Sequence, residues 1–206
     1  MPQLIRYMAI AATLAASALA SSALANTITF ETAPFGAGFT GPVTENGFTY
    51  SNLSGGLFVN IFGHPGQDME GEIVAGGGVL KIVSATGGDF DFNALDYSAF
   101  STLGGSETLQ VKGFLSGSLV GTDTYTLANT ANTPYTNWTT EAASVLAGKT
   151  LSELDIPLNA GNPGQFGQNI DNVVLTPVAT PEPGSLALLG AGVLALGWVR
   201  RRRKTA

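Results

Sequence analysis

An all-β sandwich is the fold class this sequence predicts, and three observations predict it. Short runs that alternate polar and apolar residues recur through the middle of the chain, and period two is the mark of a half-buried strand. Turn residues interrupt those runs at a spacing of roughly eight to twelve positions, as in two-sheet sandwiches. Glycine accounts for 27 of the 206 residues beside many Thr, Ser and Asn, and no long amphipathic helical pattern is visible. A single jelly-roll-like sandwich is the preferred architecture because it disposes of most sheet edges.

In chain order, Thr27-Ile28-Thr29-Phe30-Glu31 alternates and predicts a first edge strand. A Gly/Pro-rich loop follows from Ala33 to Pro42, then short strands at 47–51 and 57–62. Gly63-His64-Pro65-Gly66-Gln67-Asp68 predicts a break, since proline lacks the ladder donor and glycine favours turns. Val79 to Val83 alternates with Lys81 outward, and Asp89-Phe90-Asp91-Phe92 repeats the pattern. The clearest local signal is a hairpin pairing 108–114 with 119–125 across a turn near Ser116-Gly117. Thr136 to Thr139 predicts a strand, and Ala142 to Leu146 one helical turn stopped by Gly148. Leu151, Leu154, Ile156 and Leu158 supply a further strand, and 166–175 a long apolar final one.

Hydrophobic segments flank this region. Arg6 precedes an apolar run from Met8 to Ala20, and Ala23-Leu24-Ala25 is the small-x-small pattern that signal peptidase accepts. Residues 1–25 are therefore expected to form a signal peptide with a helical core, removed after Ala25. The C-terminal end opens with Pro181-Glu182-Pro183, continues with fourteen uncharged residues from Leu186 to Val199, and closes with Arg200-Arg201-Arg202-Arg203-Lys204. About 20 apolar residues span a bilayer comfortably, so this run suits a temporary tether. The five cations behind it act as a stop to export, because basic flanks stay on the cytoplasmic side. The expected organisation is thus a sandwich at 26–175, a linker at 176–184, a transmembrane helix at 185–199 and a basic cytoplasmic tail at 200–206.

The three-part tail resembles the PEP-CTERM sorting signal of Gram-negative bacteria, carried by Pro181, Glu182 and Pro183, the short apolar helix and the terminal basic cluster, in that order. The resemblance implies that an exosortase, a membrane-embedded transpeptidase-like enzyme, recognises the tripeptide and processes the tail. It also implies transient anchoring in the inner membrane and a destination at the cell surface or in the extracellular polysaccharide matrix.

With both ends set aside, about 155 residues remain, enough for one domain with a core. The whole chain carries −6, but 26–180 holds only Lys81, Lys112 and Lys149 against fourteen carboxylates, a charge of −11. Such a surface repels phosphate backbones, so nucleic acid is not an expected partner. Divalent cations and neutral sugars are compatible with it. Cysteine is absent, which removes thiol catalysis, cysteine-based zinc sites and stabilising disulfides.

The chemistry-bearing residues are few. His64 is the single histidine, and zinc sites seldom manage with one. No Gly-x-Ser-x-Gly elbow surrounds a serine of the exported region. Asp68, Glu70 and Glu72 alternate, as do Asp89 and Asp91, and would serve either a glycosidase pair or a solvated strand face. Clustered oxygens also suit calcium, which takes six to eight of them in flexible geometry. Aromatic platforms for sugar would come from Trp138, Tyr135, Tyr50, Tyr97 or Tyr125.

The order of features in 26–180 further resembles jelly-roll carbohydrate-binding modules. Its carriers are Ile28-Thr29-Phe30-Glu31, the stretch Phe90 to Asp96, Val111-Lys112-Gly113-Phe114 and Ile170-Asp171-Asn172-Val173. In such modules an acidic residue on the first strand and one on the last share a structural calcium, and Glu31 and Asp171 match those places. The expected function is a non-catalytic surface or matrix protein, with glycan or calcium binding and a purely structural role both open within it. The alternative is a secreted polysaccharide hydrolase working through paired carboxylates.

Overall fold

The computed structural model describes residues 24–61, 65–71, 77–101, 105–129, 137–159 and 166–179, with Gly190, Gly192 and Val193 as helical positions further on. Leu24–Val178 forms one compact unit. Within it the chain builds two antiparallel sheets, so the expected all-β sandwich is the architecture found.

The larger sheet runs β11 (Thr139–Ala142), β8 (Phe90–Ser101), β14 (Phe166–Pro177), β6 (Asp68–Gly71), β5 (Leu57–Asn60) and β2 (Gly36–Ala37). β1 (Asn26–Ile28) also pairs with β14, and β12 (Thr150–Leu151) with β8. The smaller sheet runs β10 (Ser118–Asn129), β9 (Gly105–Leu115), β13 (Glu153–Leu158), β7 (Gly78–Ser84), β4 (Phe48–Gly55) and β3 (Val43–Glu45).

Two tight turns fix registers in the smaller sheet. Ser116-Gly117 joins β9 to β10, with both residues at positive φ (50 and 79). Asn46-Gly47 joins β3 to β4 in the same way (φ 48 and 85). Positive φ at both central positions is what a two-residue hairpin loop needs to match strand twist.

The alternating residues of both sheets meet in one core. Leu57, Val59, Met69, Phe92, Leu95, Tyr97, Ile170, Val173 and Leu175 come from the larger sheet; Phe48, Tyr50, Leu80, Ile82, Leu109, Val111, Leu154, Ile156 and Leu158 come from the smaller. Phe48 meets Phe90 edge-on with ring centroids 5.3 Å apart, and Phe30 meets Tyr50 at 5.2 Å. Each such side chain contributes about 1.5–3 kcal/mol on burial, which is how a chain without cysteine holds this fold.

Five segments differ from the sequence expectation. The first strand stops at Ile28 because Glu45 takes the next free donor: Thr29 N–H donates to Glu45 Oε1 at 2.8 Å, and Phe30 turns at φ 59. The loop from Ala33 to Pro42 contains a two-residue strand, β2. Asp68 to Gly71 is not loop but an interior strand, β6, buried on both faces. The expected helical turn from Ala142 to Leu146 does not form; Ala142 ends strand β11, and the following amides are drawn onto the Asp123 carboxylate. The last strand continues to Pro177, where Val178 N–H donates to Asp89 O.

Candidate functional site

Strand alternation divides the larger sheet into two faces of different chemistry. Val59, Met69, Ile170 and Tyr97 stand side by side across β5, β6, β14 and β8, and all four point into the core. Their sequence neighbours therefore point away from it. Phe58, Glu70, Asn169 and Ser98 make one outer row. Asn60 and Asp68 pair in the next row, and Asp171 pairs with Asp96 further across.

An outer sheet face is ordinarily solvated, but this one is enclosed. Asn169, Asp68 and Ser98 are 0 % exposed, Asn60 1 %, Asp171 2 % and Glu70 5 %. Buried polar groups need partners, and the side chains form a lattice of them. Asn60 Nδ2 donates to Glu70 Oε2 at 2.7 Å, and Asn169 Nδ2 to Asp68 Oδ1 at 3.2 Å. Ser98 Oγ donates to Asn137 Oδ1 at 2.8 Å. Asp96 accepts from Thr140 Oγ1 at 2.6 Å and from Asn172 Nδ2 at 2.8 Å. The amide oxygen of Asn169 is buried and has no hydrogen-bond partner.

The electrostatics follow from this burial. Desolvation pushes the Asp171 carboxyl up to about 7, the negative charges of Asp96, Glu31 and Glu45 add to the rise, and the Asn172 amide opposes it. No strand of the larger sheet contains a lysine or arginine. Asp91, on the same outer face nearer the start of β8, is also raised by burial.

One edge of this face is aromatic. The Phe35 ring lies 6.4 Å from that of Phe58 and is 65 % exposed, and Ile61 just past β5 is 60 % exposed. Phe58 is directly opposite Glu70, so a pair of phenyl rings adjoins the carboxylate and amide lattice.

The aromatics singled out by sequence mostly serve the core. The Tyr50 hydroxyl sits against Thr32 and Glu45, and burial raises its pKa to about 12. Gln168 Nε2 donates to the Tyr97 hydroxyl, and Tyr125 meets Asp123 and the Ala142 carbonyl. Trp138 is half-buried, and Tyr135 lies outside the described residues. Sequence reasoning had placed Phe58 on a strand without a role and Phe35 in a loop; nothing in the letters distinguishes an exposed ring from a core ring.

Of the carboxylates, Asp68 and Glu70 share one face, as their spacing predicts, but that face is enclosed rather than solvated. Glu72 and His64 lie outside the described residues. Glu31 follows β1 and is engaged by Gln67: the Gln67 N–H donates to Glu31 Oε1 at 2.8 Å, and its Nε2 to Glu31 O at 2.9 Å. Asp171 lies in β14, the partner strand of β1, within electrostatic range of Glu31. Among the described residues, no three carboxylate or imidazole side chains gather as a metal-binding group. Ala25 lies just ahead of β1; Ala23, the motif Pro181, Glu182 and Pro183, and the cluster Arg200 to Lys204 lie outside the described residues. So does nearly all of 185–199, and no helix among the described residues is long and apolar enough to cross a membrane.

Comparison with known proteins bears on the tail. Residues 179–203 match the PEP-CTERM protein-sorting motif. That motif marks an exported protein sorted through an exosortase to the cell surface, with transient membrane anchoring. No curated protein matches the chain. Among solved structures, an arabinose-bound α-L-arabinofuranosidase is 14% identical with a TM-score of 0.46; the alignment covers 77% of this chain and 27% of that one. A DUF4465 family protein from Bacteroides caccae is 11% identical with a TM-score of 0.43, covering 75% of this chain and 100% of that one. A variant of a family 29 carbohydrate-binding module is 15% identical with a TM-score of 0.43, covering 75% and 91%. The chain thus spans about a quarter of the arabinofuranosidase.

Proposed function

We propose that this chain is a non-catalytic protein of the cell surface or extracellular matrix whose sandwich binds extracellular polysaccharide. In this reading signal peptidase removes residues 1–25, and an exosortase acts at Pro181-Glu182-Pro183 before the domain reaches the matrix. Sugar lies across the aromatic edge of the larger sheet, with Phe35 and Phe58 under its apolar ring face.

The observation that carries the proposal is the Phe35–Phe58 pair. A ring as exposed as Phe35, held against a second ring beside hydrogen-bonding side chains, has the chemistry that sugar faces require. The net charge of −11 on 26–180 favours a neutral glycan over an acidic one. The enclosed setting of Asp68 and Glu70 argues against these two as a glycosidase pair, which must face the scissile bond across ~5–10 Å of accessible space.

Affinity electrophoresis of the full-length chain through gels containing neutral polysaccharides is the direct test. Retardation is expected for the wild type, and Phe35→Ala should weaken it by about tenfold, as for the loss of an interface anchor. Retardation that is unchanged in Phe35→Ala would move the site elsewhere. Release of reducing ends that disappears in Asp89→Asn or Asp91→Asn would replace binding by hydrolysis.

A further inference from the structure

We infer that two copies of this chain associate face to face through the outer surface of the smaller sheet, with Lys112 of each copy set against Asp155 of the other. The starting observation is how unevenly charge is spread over the sandwich. Residues 26–180 carry −11, so two copies repel each other over most of their surface. The larger sheet turns Asp68, Glu70, Asp96 and Asp171 to its outer side, and none of its strands holds a lysine or arginine. The smaller sheet differs. Of the charged residues in its strands, Glu45, Glu107 and Asp123 are buried beside the core. Lys81, Lys112, Glu153 and Asp155 alternate with the core residues Ile82, Val111 and Leu154 and so point outward. Two cations against two carboxylates sum to zero, which lets two copies share this face without repulsion.

The order of those charges is complementary to itself. Asp155 on β13 lies directly opposite Lys112 on β9 and, on its other side, opposite Lys81 on β7. Lys81 is engaged by Glu153 at 2.5 Å. Lys112 and Asp155 make no ion pair among the described residues, and Asp155 Oδ1 has no hydrogen-bond partner. A two-fold axis along the strands, midway between β13 and β9, exchanges these two strands between copies. It brings Lys112 of one copy over Asp155 of the other, and the reverse contact forms at the same time, as an isologous interface requires. Aligned sheets pack about 10 Å apart, a gap that the four-carbon stem of lysine crosses to reach a carboxylate set low in the opposite face.

The same rotation sets β7 of one copy against β10 of the other. Glu153, Phe114 and Leu119 form one outer row across β13, β9 and β10, and Val83 follows the Ile82–Leu154 pair at that level on β7. Val83 therefore meets Leu119, whose side chain is 57 % exposed and gains burial there. The inference is independent of the polysaccharide reading, because Phe35 and Phe58 lie at the edge of the larger sheet and stay outside this contact.

The test is sedimentation of the full-length chain in density-matched detergent at ~100 µM, a loading at which micromolar contacts are populated. A dimer is expected for the wild type. Lys112→Glu and Asp155→Lys should each be monomeric, since each sets like charges face to face. An equal mixture of these two variants should recover the dimer, because the two altered positions then meet each other and the two unaltered ones do the same. Carbodiimide coupling between unlabelled and isotope-labelled wild-type copies should join Lys112 to Asp155 in mixed-isotope peptides. A monomeric wild type would overturn the inference. So would single variants that dimerise as the wild type does, or a mixture that stays monomeric. If Asp155→Lys does not fold, Lys112→Glu and Leu119→Asp decide: each should weaken the dimer at least about tenfold, and an unchanged dimer in either overturns the contact.

Discussion

Asp123→Ala is expected to destabilise the fold by about 3 kcal/mol, because one buried carboxylate accepts the hydrogen bonds that hold a whole turn. Asp123 is fully buried on β10 and organises the chain that follows β11. Its Oδ1 accepts from Val145 N at 2.5 Å, Ser144 Oγ at 2.8 Å and Leu146 N at 3.3 Å, and its Oδ2 accepts from Ser144 N at 3.0 Å. The Tyr125 hydroxyl lies 3.2 Å from Oδ2. Alanine strips the turn of its shared acceptor and releases Leu146 from its place over Gly113 and Gly121. A fall in Tm of roughly 10 °C should accompany the change in a domain of this size.

The same residue gives the protein an acid limit. Burial works to raise the Asp123 carboxyl, but the hydrogen bonds from Ser144, Val145 and Leu146 outweigh it and hold the pKa below the ordinary aspartate value. A depressed folded-state pKa means the contribution is complete above the unfolded value of about 3.9 and is lost as pH falls through the folded one. The wild type should therefore lose stability as pH falls below about 4, and Asp123→Asn should flatten that slope. A wild-type slope retained in Asp123→Asn would assign the acid limit to another group.

Gly77→Ala carries the second large effect, about 4 kcal/mol, and it tests how closely the ends of the strands converge. Gly77 enters β7 at φ 80, and a Cβ there would stand 2.1 Å from the Leu158 carbonyl oxygen and 2.5 Å from the Asn159 carbonyl carbon. Those obstacles are backbone and cannot swing aside. They are also tied in, since Gly56 N–H donates to Gly77 O at 2.9 Å and Asn159 Nδ2 donates to Gly71 O at 2.5 Å. Gly87→Ala is the matched control: its φ is 74, but nothing lies within 4 Å of the added atom, so only about 1 kcal/mol of backbone strain applies. Denaturant midpoints should rank Gly77→Ala well below Gly87→Ala. Equal midpoints would mean that the approach of the start of β7 to the end of β13 is looser than these distances.

Much of the fold was legible because its signals are local. Ser116-Gly117 between two alternating runs places the β9–β10 hairpin, and the apolar run from 166 places β14. Asn46-Gly47 is an equally local hairpin signal, and it joins β3 to β4, two strands of which only the second is expected from the sequence. β6 was illegible for a physical reason. Only Met69 of Asp-Met-Glu-Gly reaches the core, and the flanking acids resemble a solvated stretch until the sheet around them is assembled.

The candidate site was legible in part. The period-two spacing of Asp68 and Glu70 correctly places both on one face, while their enclosure depends on partners such as Asn169, about 100 positions away and paired across strands. Trp138 and the tyrosines were natural sugar platforms on composition. Tyr50, Tyr97 and Tyr125 are instead core residues, because a buried hydroxyl is tolerated wherever a partner such as Glu45, Gln168 or Asp123 is within reach. The sorting tail was the most readable part of all, since its order of tripeptide, apolar run and basic cluster is linear and needs no fold.

Tail and sandwich divide the work between them in this account. The tail carries the sorting motif, and the proposed polysaccharide site is the aromatic edge of the larger sheet at Phe35 and Phe58. Hydrogen–deuterium exchange of the full-length chain, with and without the polysaccharide that retards it in gels, tests that assignment most directly. The account predicts added protection at the Phe35 loop and along β5 and β6, with the smaller sheet unchanged. Protection confined to β9, β10 or β13 would contradict it.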